Sequence, residues 1–183
     1  MPRILVTYAS RFGSTRDVAA AIAEELTSAG FDVDVLYANP ELDLSKYDGI
    51  VIGSPAYGQN WLPRASLFVI GNAERLANLP VAMFTTGMLG VKNPKMALRE
   101  HNEIISTLSE FAPAVSPVST ALFHGSFDRK NLPICLRIMD RIAGTPQGDQ
   151  RNWDAIRSWG RKVGDLFTSH LRHPSSGLDS KEE

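Results

Sequence analysis

The residues "ASRFGST" at 9–15 stand between a short apolar run, "RILV" at 3–6, and a helix-like stretch, "RDVAAAIAEEL" at 16–26. Ser10, Ser14 and Thr15 offer hydroxyl donors there. Gly13 lets the backbone turn tightly and approach a ligand closely. A helix that begins near Ser14 aims its unpaired N–H groups and a partial positive charge at the loop. Hydroxyls, amides and a helix N-terminus together suit a phosphate. No lysine follows the glycine in the G-x-x-x-x-G-K-[ST] spacing, which excludes a Walker-type nucleotide loop, and no G-x-G-x-x-G dinucleotide turn is present. A phosphomonoester fits best. The plainer alternative is an ordinary helix cap at Ser14 or Thr15.

Two further loops carry residues suited to a planar ligand. "SPAYGQNW" at 54–61 places the aromatic Tyr57 before Gly58. An aromatic ring can stack on another ring, and a glycine tolerates a peptide flip that a side chain blocks. Trp61 either joins this wall or packs a helix. "TTGMLGVKN" at 85–93 offers Thr85, Thr86, Gly87 and Gly90, small residues that suit edge-on hydrogen bonds to a heterocycle. No Ser/His/Asp set and no paired carboxylate stands in these loops, so no protein acid or base is assigned. His124 follows an apolar run, as either a site residue or a structural one. Arg11, Arg64, Lys92 and Lys95 either steer an anionic substrate to the rim or form a solvated surface.

The elements between the loops alternate. Apolar strands are expected at 4–8, 49–53, 80–87 and 114–123, with helices at 14–30, 62–79, 94–111, 132–144 and 152–171. "FDVDVLY" at 31–37 alternates apolar and acidic residues, the pattern of a half-exposed strand at a sheet edge. Strand–helix alternation with right-handed crossovers predicts an α/β fold: a doubly wound parallel sheet with helices on both faces. Ligands of such sheets sit beyond the carboxyl ends of the strands, where all three loops fall.

Composition bounds the function. The chain has 183 residues, 43% hydrophobic and 21% charged, with a formal net charge of −1. That is one ordinary globular domain without the basic footprint of a nucleic-acid or anionic-membrane binder. Its single cysteine, Cys135, forms no internal disulfide and suits a reducing compartment. With no secretory leader and no apolar run long enough to span a membrane, a cytoplasmic protein is expected. The expected organisation is one domain over 1–172, including an insert at about 125–150, followed by a mobile polar tail at 173–183.

The loops resemble those of the flavodoxin-fold FMN proteins: "SRFGST" resembles the phosphate loop and "SPAYG" the isoalloxazine loop. Within that fold the chain to about residue 170 is similar to the menaquinone-dependent protoporphyrinogen IX dehydrogenases and their flavodoxin-domain relatives. "SRFGSTRDVAAAIAEEL", "YDGIVIGSPAYG", "ALFHGSFDRKNLPICLRIMDRIAG" and "RNWDAIRSWG" carry the likeness in order. The resemblance implies a five-stranded flavodoxin-like sheet of order 2-1-3-4-5 with a helical insert after the fifth strand. It implies FMN as cofactor. Ser10, Arg11, Phe12, Gly13, Ser14 and Thr15 would take the phosphate. Pro55, Ala56, Tyr57 and Gly58 would line the ring, and Thr85, Thr86, Gly87 and Met88 its pyrimidine edge.

The implied activity is an FMN-dependent oxidoreductase passing electrons to a small-molecule or quinone acceptor, in the manner of a protoporphyrinogen dehydrogenase. The alternative is a flavodoxin-type electron carrier that docks other redox proteins. A near-neutral chain argues against the strongly acidic docking face of such carriers. The third loop carries no aromatic, which leaves one flavin face open to a substrate. A receiver domain shares the strand order but needs acidic residues after strands one and three, where "YASRF" and "GSPAY" have none. "LPICLRIMDRIAG" at 132–144 is read either as a lid or peripheral membrane helix that meets a lipid quinone, or as a helix packed on the domain or in a homodimer.

Overall fold

The computed structural model describes residues 1–57, 60–87, 93–127 and 148–173. The elements run β1 (Arg3–Tyr8), α1 (Ser14–Ser28), β2 (Asp32–Tyr37), β3 (Gly49–Tyr57), β4 (Asn60–Trp61), α2 (Pro63–Gly71) and α3 (Ala73–Leu76). They continue through β5 (Val81–Gly87), α4 (Pro94–Phe111), β6 (Ser119–His124), β7 (Ser126–Phe127), β8 (Gly148–Asp149) and α5 (Trp153–Arg172). The main sheet has the order β2-β1-β3-β5-β6, and every pair along that path is parallel. Strand order reverses between β1 and β3, which puts a crevice at their carboxyl ends.

Two cores flank the sheet, because alternate residues of a strand face opposite sides. Leu5, Ile50, Ile52, Val81 and Met83 pack against α2, α3 and α4 through Phe68, Leu76 and Ile104. Ile4, Val6, Val51, Ala82 and Phe84 pack against α1 and α5 through Ile22, Leu26, Ile156 and Phe167. Strands buried on both faces read as continuous apolar runs, as β1 and β3 do. The acidic alternation at 31–37 places β2 at the edge, with Asp32, Val35, Leu36 and Tyr37 exposed. On the second face α5 approaches α1 closely. A Cβ on Gly160 would lie 3.1 Å from Glu25 Cβ and 3.4 Å from the Ile22 Cα. Arg157 and Arg161 pair with Glu24 and Glu25 along that seam.

The structure departs from the sequence expectations in four places. The helix expected over 62–79 is two, broken at Asn72, whose side-chain amide donates to the carbonyls of Phe68 and Pro40. The fifth main strand starts at Ser119 rather than 114, after the two prolines at 113 and 117, which lack the N–H a ladder needs. β3 runs on to Tyr57 and folds back on β4 as a short antiparallel pair, which adds a sixth strand beside the five parallel ones of the expected order 2-1-3-4-5. The insert begins and ends on a two-stranded antiparallel ladder, β7 with β8. The helix expected at 132–144, Cys135, Gly58, Met88, Gly90, Lys92 and the tail beyond 173 lie outside the described residues.

At the opposite end from the crevice, Asp34 joins β1, β2 and the turn before β3. Its carboxylate accepts from the Tyr47 hydroxyl at 2.6 Å and from Arg3 Nη2 at 3.2 Å. These bonds hold the Asp34 carboxyl below its usual range, chiefly through Tyr47 and then Arg3. A depressed carboxylate contributes stability above its unfolded pKa, and loses it as pH falls below about 4. Asp34→Asn is expected to lower the urea midpoint at pH 7 and to flatten the acid limb of the stability curve. An unchanged acid limb would show that the network adds nothing.

Candidate functional site

The loop after β1 is shaped by one glycine. Gly13 has φ +88° and is the residue that precedes the first turn of α1, with no side chain capping that helix. Ser14 and Thr15 are therefore helical residues, and neither is the cap that the plainer reading supposed. With no side-chain cap, the first-turn N–H groups of α1 keep their direction toward the loop. Ser10 Oγ accepts from the Gly13 N–H at 2.9 Å, and Ser14 Oγ accepts from the Ser126 N–H at 2.9 Å. An sp³ hydroxyl that accepts a backbone N–H still has its own O–H to donate. Thr15 is buried, and its hydroxyl bonds Thr86 Oγ1 at 2.9 Å, fastening the first turn of α1 to the end of β5.

The aromatic loop meets this one. Arg11 lies over the Phe12 ring at 5.6 Å and over the Tyr57 ring at 5.9 Å. Phe12 and Tyr57 are 38% and 42% exposed, so the crevice mouth presents two partly exposed aromatic rings. Desolvation raises the Tyr57 hydroxyl pKa above its ordinary value, although Arg11 acts in the opposite sense. Pro55 and Ala56 are half-buried where β3 turns. Ser54 Oγ accepts from the Leu62 N–H at 3.0 Å and closes the hairpin below them. On the β2 side, the Tyr37 hydroxyl donates to the Ser10 carbonyl at 3.2 Å, and Arg64 covers the Tyr37 ring at 5.4 Å.

The third loop is rooted in buried groups. Thr85 and Thr86 are adjacent, so their side chains face opposite sides of β5. Thr86 meets Thr15 on the α1 side. Thr85 is fully buried on the other, where its Oγ1 accepts from Trp61 Nε1 at 2.9 Å and bonds His101 Nδ1 at 2.9 Å. Both threonine hydroxyls are thus engaged inside the fold, and what β5 offers at its end is backbone around Gly87. Trp61 is 3% exposed and packs the core rather than the crevice. His124 pairs in register with Gly87 and is exposed at the same end of the sheet. Lys95 is exposed in the first turn of α4.

Sequence reasoning missed two residues here. His101 lies on the same α4 stripe as the buried Ala97, Ile104 and Leu108, so helical periodicity carried the signal for its burial. Burial lowers its pKa, favouring the neutral ring. Arg151 gave no signal at all. It donates to the Ser14 carbonyl at 3.3 Å and to Asp17 Oδ2 at 3.1 Å, across 134 residues of sequence from Asp17. Among the described residues, no three metal-ligating side chains gather, and no helix is long and apolar enough to cross a membrane.

Three comparisons bear on this geometry. Over 95 residues the chain is 28% identical to the protoporphyrinogen IX dehydrogenase [quinone] of Escherichia coli K12, covering 51% of this chain and 52% of that protein. Over 66 residues it is 36% identical to a probable flavodoxin 1 of Bacillus subtilis, covering 34% of this chain and 41% of that one. The chain spans about half the length of the curated relatives it matches. Flavodoxin 1 of Bacillus cereus superposes with a TM-score of 0.57 over 92% of this chain and 99% of that one, at 17% identity, a likeness of fold alone. The family model of the flavodoxin domain matches residues 5–152. The chain therefore belongs to the flavodoxin domain family, whose redox cofactor is FMN.

Proposed function

We propose that residues 10–15 hold the FMN phosphate, and that the protein is an FMN-dependent oxidoreductase passing electrons to an acceptor such as a quinone. One observation carries the phosphate assignment. Ser10 and Ser14 both accept backbone N–H groups, which leaves both O–H groups as donors beside an uncapped helix N-terminus. A dianion accepts such bonds and complements the helix dipole, whereas a neutral ligand gains little from either. The left-handed Gly13 keeps a side chain out of this cradle. The residues present fit FMN on these grounds.

Bound FMN supplies the electron-transfer chemistry, and the protein supplies position and electrostatics. Ser10, Ser14 and the first-turn amides of α1 bind the phosphate. Arg11 and Phe12 line the passage from it to Tyr57. Pro55, Ala56 and Tyr57 would form the ring wall. The backbone at Thr85, Thr86 and Gly87 would take the pyrimidine edge. The Thr15–Thr86 bond keeps the phosphate end and the pyrimidine end in register. In the net reaction the donor loses two electrons, and the quinone takes them with two protons to become a quinol.

The 28% identity to the Escherichia coli dehydrogenase supports a porphyrinogen as donor, and the exposed Arg11 and Arg64 suit its carboxylates. On this reading the domain spans 1–172 and works in the cytoplasm. The likeness to the Bacillus subtilis flavodoxin supports the second reading, a carrier. Turnover with porphyrinogen and menaquinone separates the two, because a carrier neither oxidises the porphyrinogen nor reduces the quinone without a protein partner.

The test begins with the absorbance spectrum of the purified protein and titration of the apoprotein with FMN and riboflavin. FMN is expected to bind far more tightly than riboflavin. Ser14→Ala is expected to weaken FMN by about tenfold or more, the worth of a hydrogen bond to a charged group, and to leave riboflavin unmoved. A chain that takes up neither flavin would overturn the proposal.

A further inference from the structure

A charged cluster of Arg151, Asp149 and Asp17 stands behind the proposed phosphate loop. Arg151 is 10% exposed and bonds four partners at once. Its Nε and Nη2 grip Asp149 at 2.8 and 2.7 Å. Its Nη1 reaches Asp17 Oδ2 at 3.1 Å and the Ser14 carbonyl at 3.3 Å. Its guanidinium lies 4.4 Å from the centre of the Trp153 ring. Around it the two ends of the insert are tied to the crevice. Ser126 N–H donates to Ser14 Oγ, Gln150 N–H to the Gly125 carbonyl, and Gly125 N–H to the Gly87 carbonyl.

Asp17 is the acidic residue in the first turn of α1. There it complements the helix dipole when the loop is empty, yet it opposes any anion bound at the same helix end. Arg16 occupies one of its oxygens and Arg151 the other. Arg16 is largely exposed and screened by solvent, whereas Arg151 is largely covered and holds its place. A covered charge acts through a lower effective dielectric than an exposed one.

We infer that Arg151 is a positioning residue for the FMN phosphate: it neutralises Asp17 at the helix end and holds Ser14 in place through its carbonyl. The inference rests on the phosphate reading above. An arginine is required because its planar fork serves Asp149, Asp17 and a carbonyl in fixed directions, which a lysine ammonium does not. The base of the insert thereby belongs to the cofactor site, although no residue between 127 and 148 enters the argument.

The experiment measures FMN and riboflavin affinity of the full chain as wild type, Arg151→Met, Asp17→Asn and the double variant. Methionine keeps a long stem against Trp153 and removes the charge. Arg151→Met is expected to weaken FMN about tenfold, the order of one unit charge near the site at an intermediate effective dielectric, with riboflavin unchanged. Asp17→Asn in the Arg151→Met background is expected to restore most of that loss, since the opposing charge is gone. An equal loss for both flavins would show a merely structural role and overturn the inference. So would a loss that Asp17→Asn does not restore, or no loss at all. A wild-type chain that binds no FMN would bring down the phosphate reading itself, and the inference with it.

Discussion

Replacing Gly53 by alanine is expected to destabilise the fold by about 3 kcal/mol or more, at the upper end of overpacking costs. Gly53 faces Phe84 in register across β3 and β5. A Cβ built there would lie 2.0 Å from Phe84 Cζ and 2.3 Å from Cε1. The ring has no room to withdraw. Phe84 is fully buried, with Phe123 at 6.1 Å and Trp159 at 6.0 Å. The phenylalanine therefore leaves its rotamer or the central strands separate, and close-packed interiors resist both. Urea denaturation followed by far-UV circular dichroism measures the effect. Phe84→Leu in the Gly53→Ala background is expected to recover part of the loss by opening the space the methyl needs. An unchanged midpoint for Gly53→Ala would show that β3 and β5 are free to part here.

The second large effect belongs to Thr85. Valine has nearly the same shape but no hydroxyl, so Thr85→Val leaves Trp61 Nε1 and His101 Nδ1 unpartnered where both are buried. Each abandoned polar group costs about 1–3 kcal/mol, so a loss of about 2–6 kcal/mol is expected. Thr85→Ser retains the hydroxyl and is expected to recover most of it. The site would feel the change as well, because Trp61 closes the hairpin that carries Tyr57 and Thr85 roots the third loop. A pH signature accompanies the cluster. Burial holds the His101 pKa below its unfolded value, so the unfolded chain takes up the proton first. Stability through this group is then complete above about pH 6.5 and declines as pH falls below it. Removing the imidazole by His101→Gln is expected to reduce that decline. A Thr85→Val protein as stable as wild type would mean that these groups find other partners.

The sequence by itself determined the architecture. Continuous apolar runs at β1, β3 and β5 demand burial on both faces, and that demand leads to a parallel sheet with two helical layers. The acidic alternation at 31–37 assigned β2 to an edge, and Ser, Gly and Thr after the first strand marked the loop proposed to take the phosphate. These are local signals, readable within one turn or one strand. Even the break at Asn72 and the late start of β6 are local effects, hidden only because boundaries depend on which backbone groups find partners.

Tertiary structure decided which groups of the site are free and which are engaged. The sequence shows Thr85 and Thr86 as equivalent hydroxyls, but the pleat sends one to Trp61 and His101 and the other to Thr15. It shows Ser14 as a helix cap or a ligand, whereas the Ser126 N–H turns it into an acceptor with a proton left to donate. Arg151 and Asp17 stand 134 positions apart and meet at one helix end. Charge pairs and buried hydrogen bonds of this kind form between segments whose separation in sequence carries no information about their distance in space. Hydrophobic periodicity specifies which face is buried, not which polar atom will be waiting there.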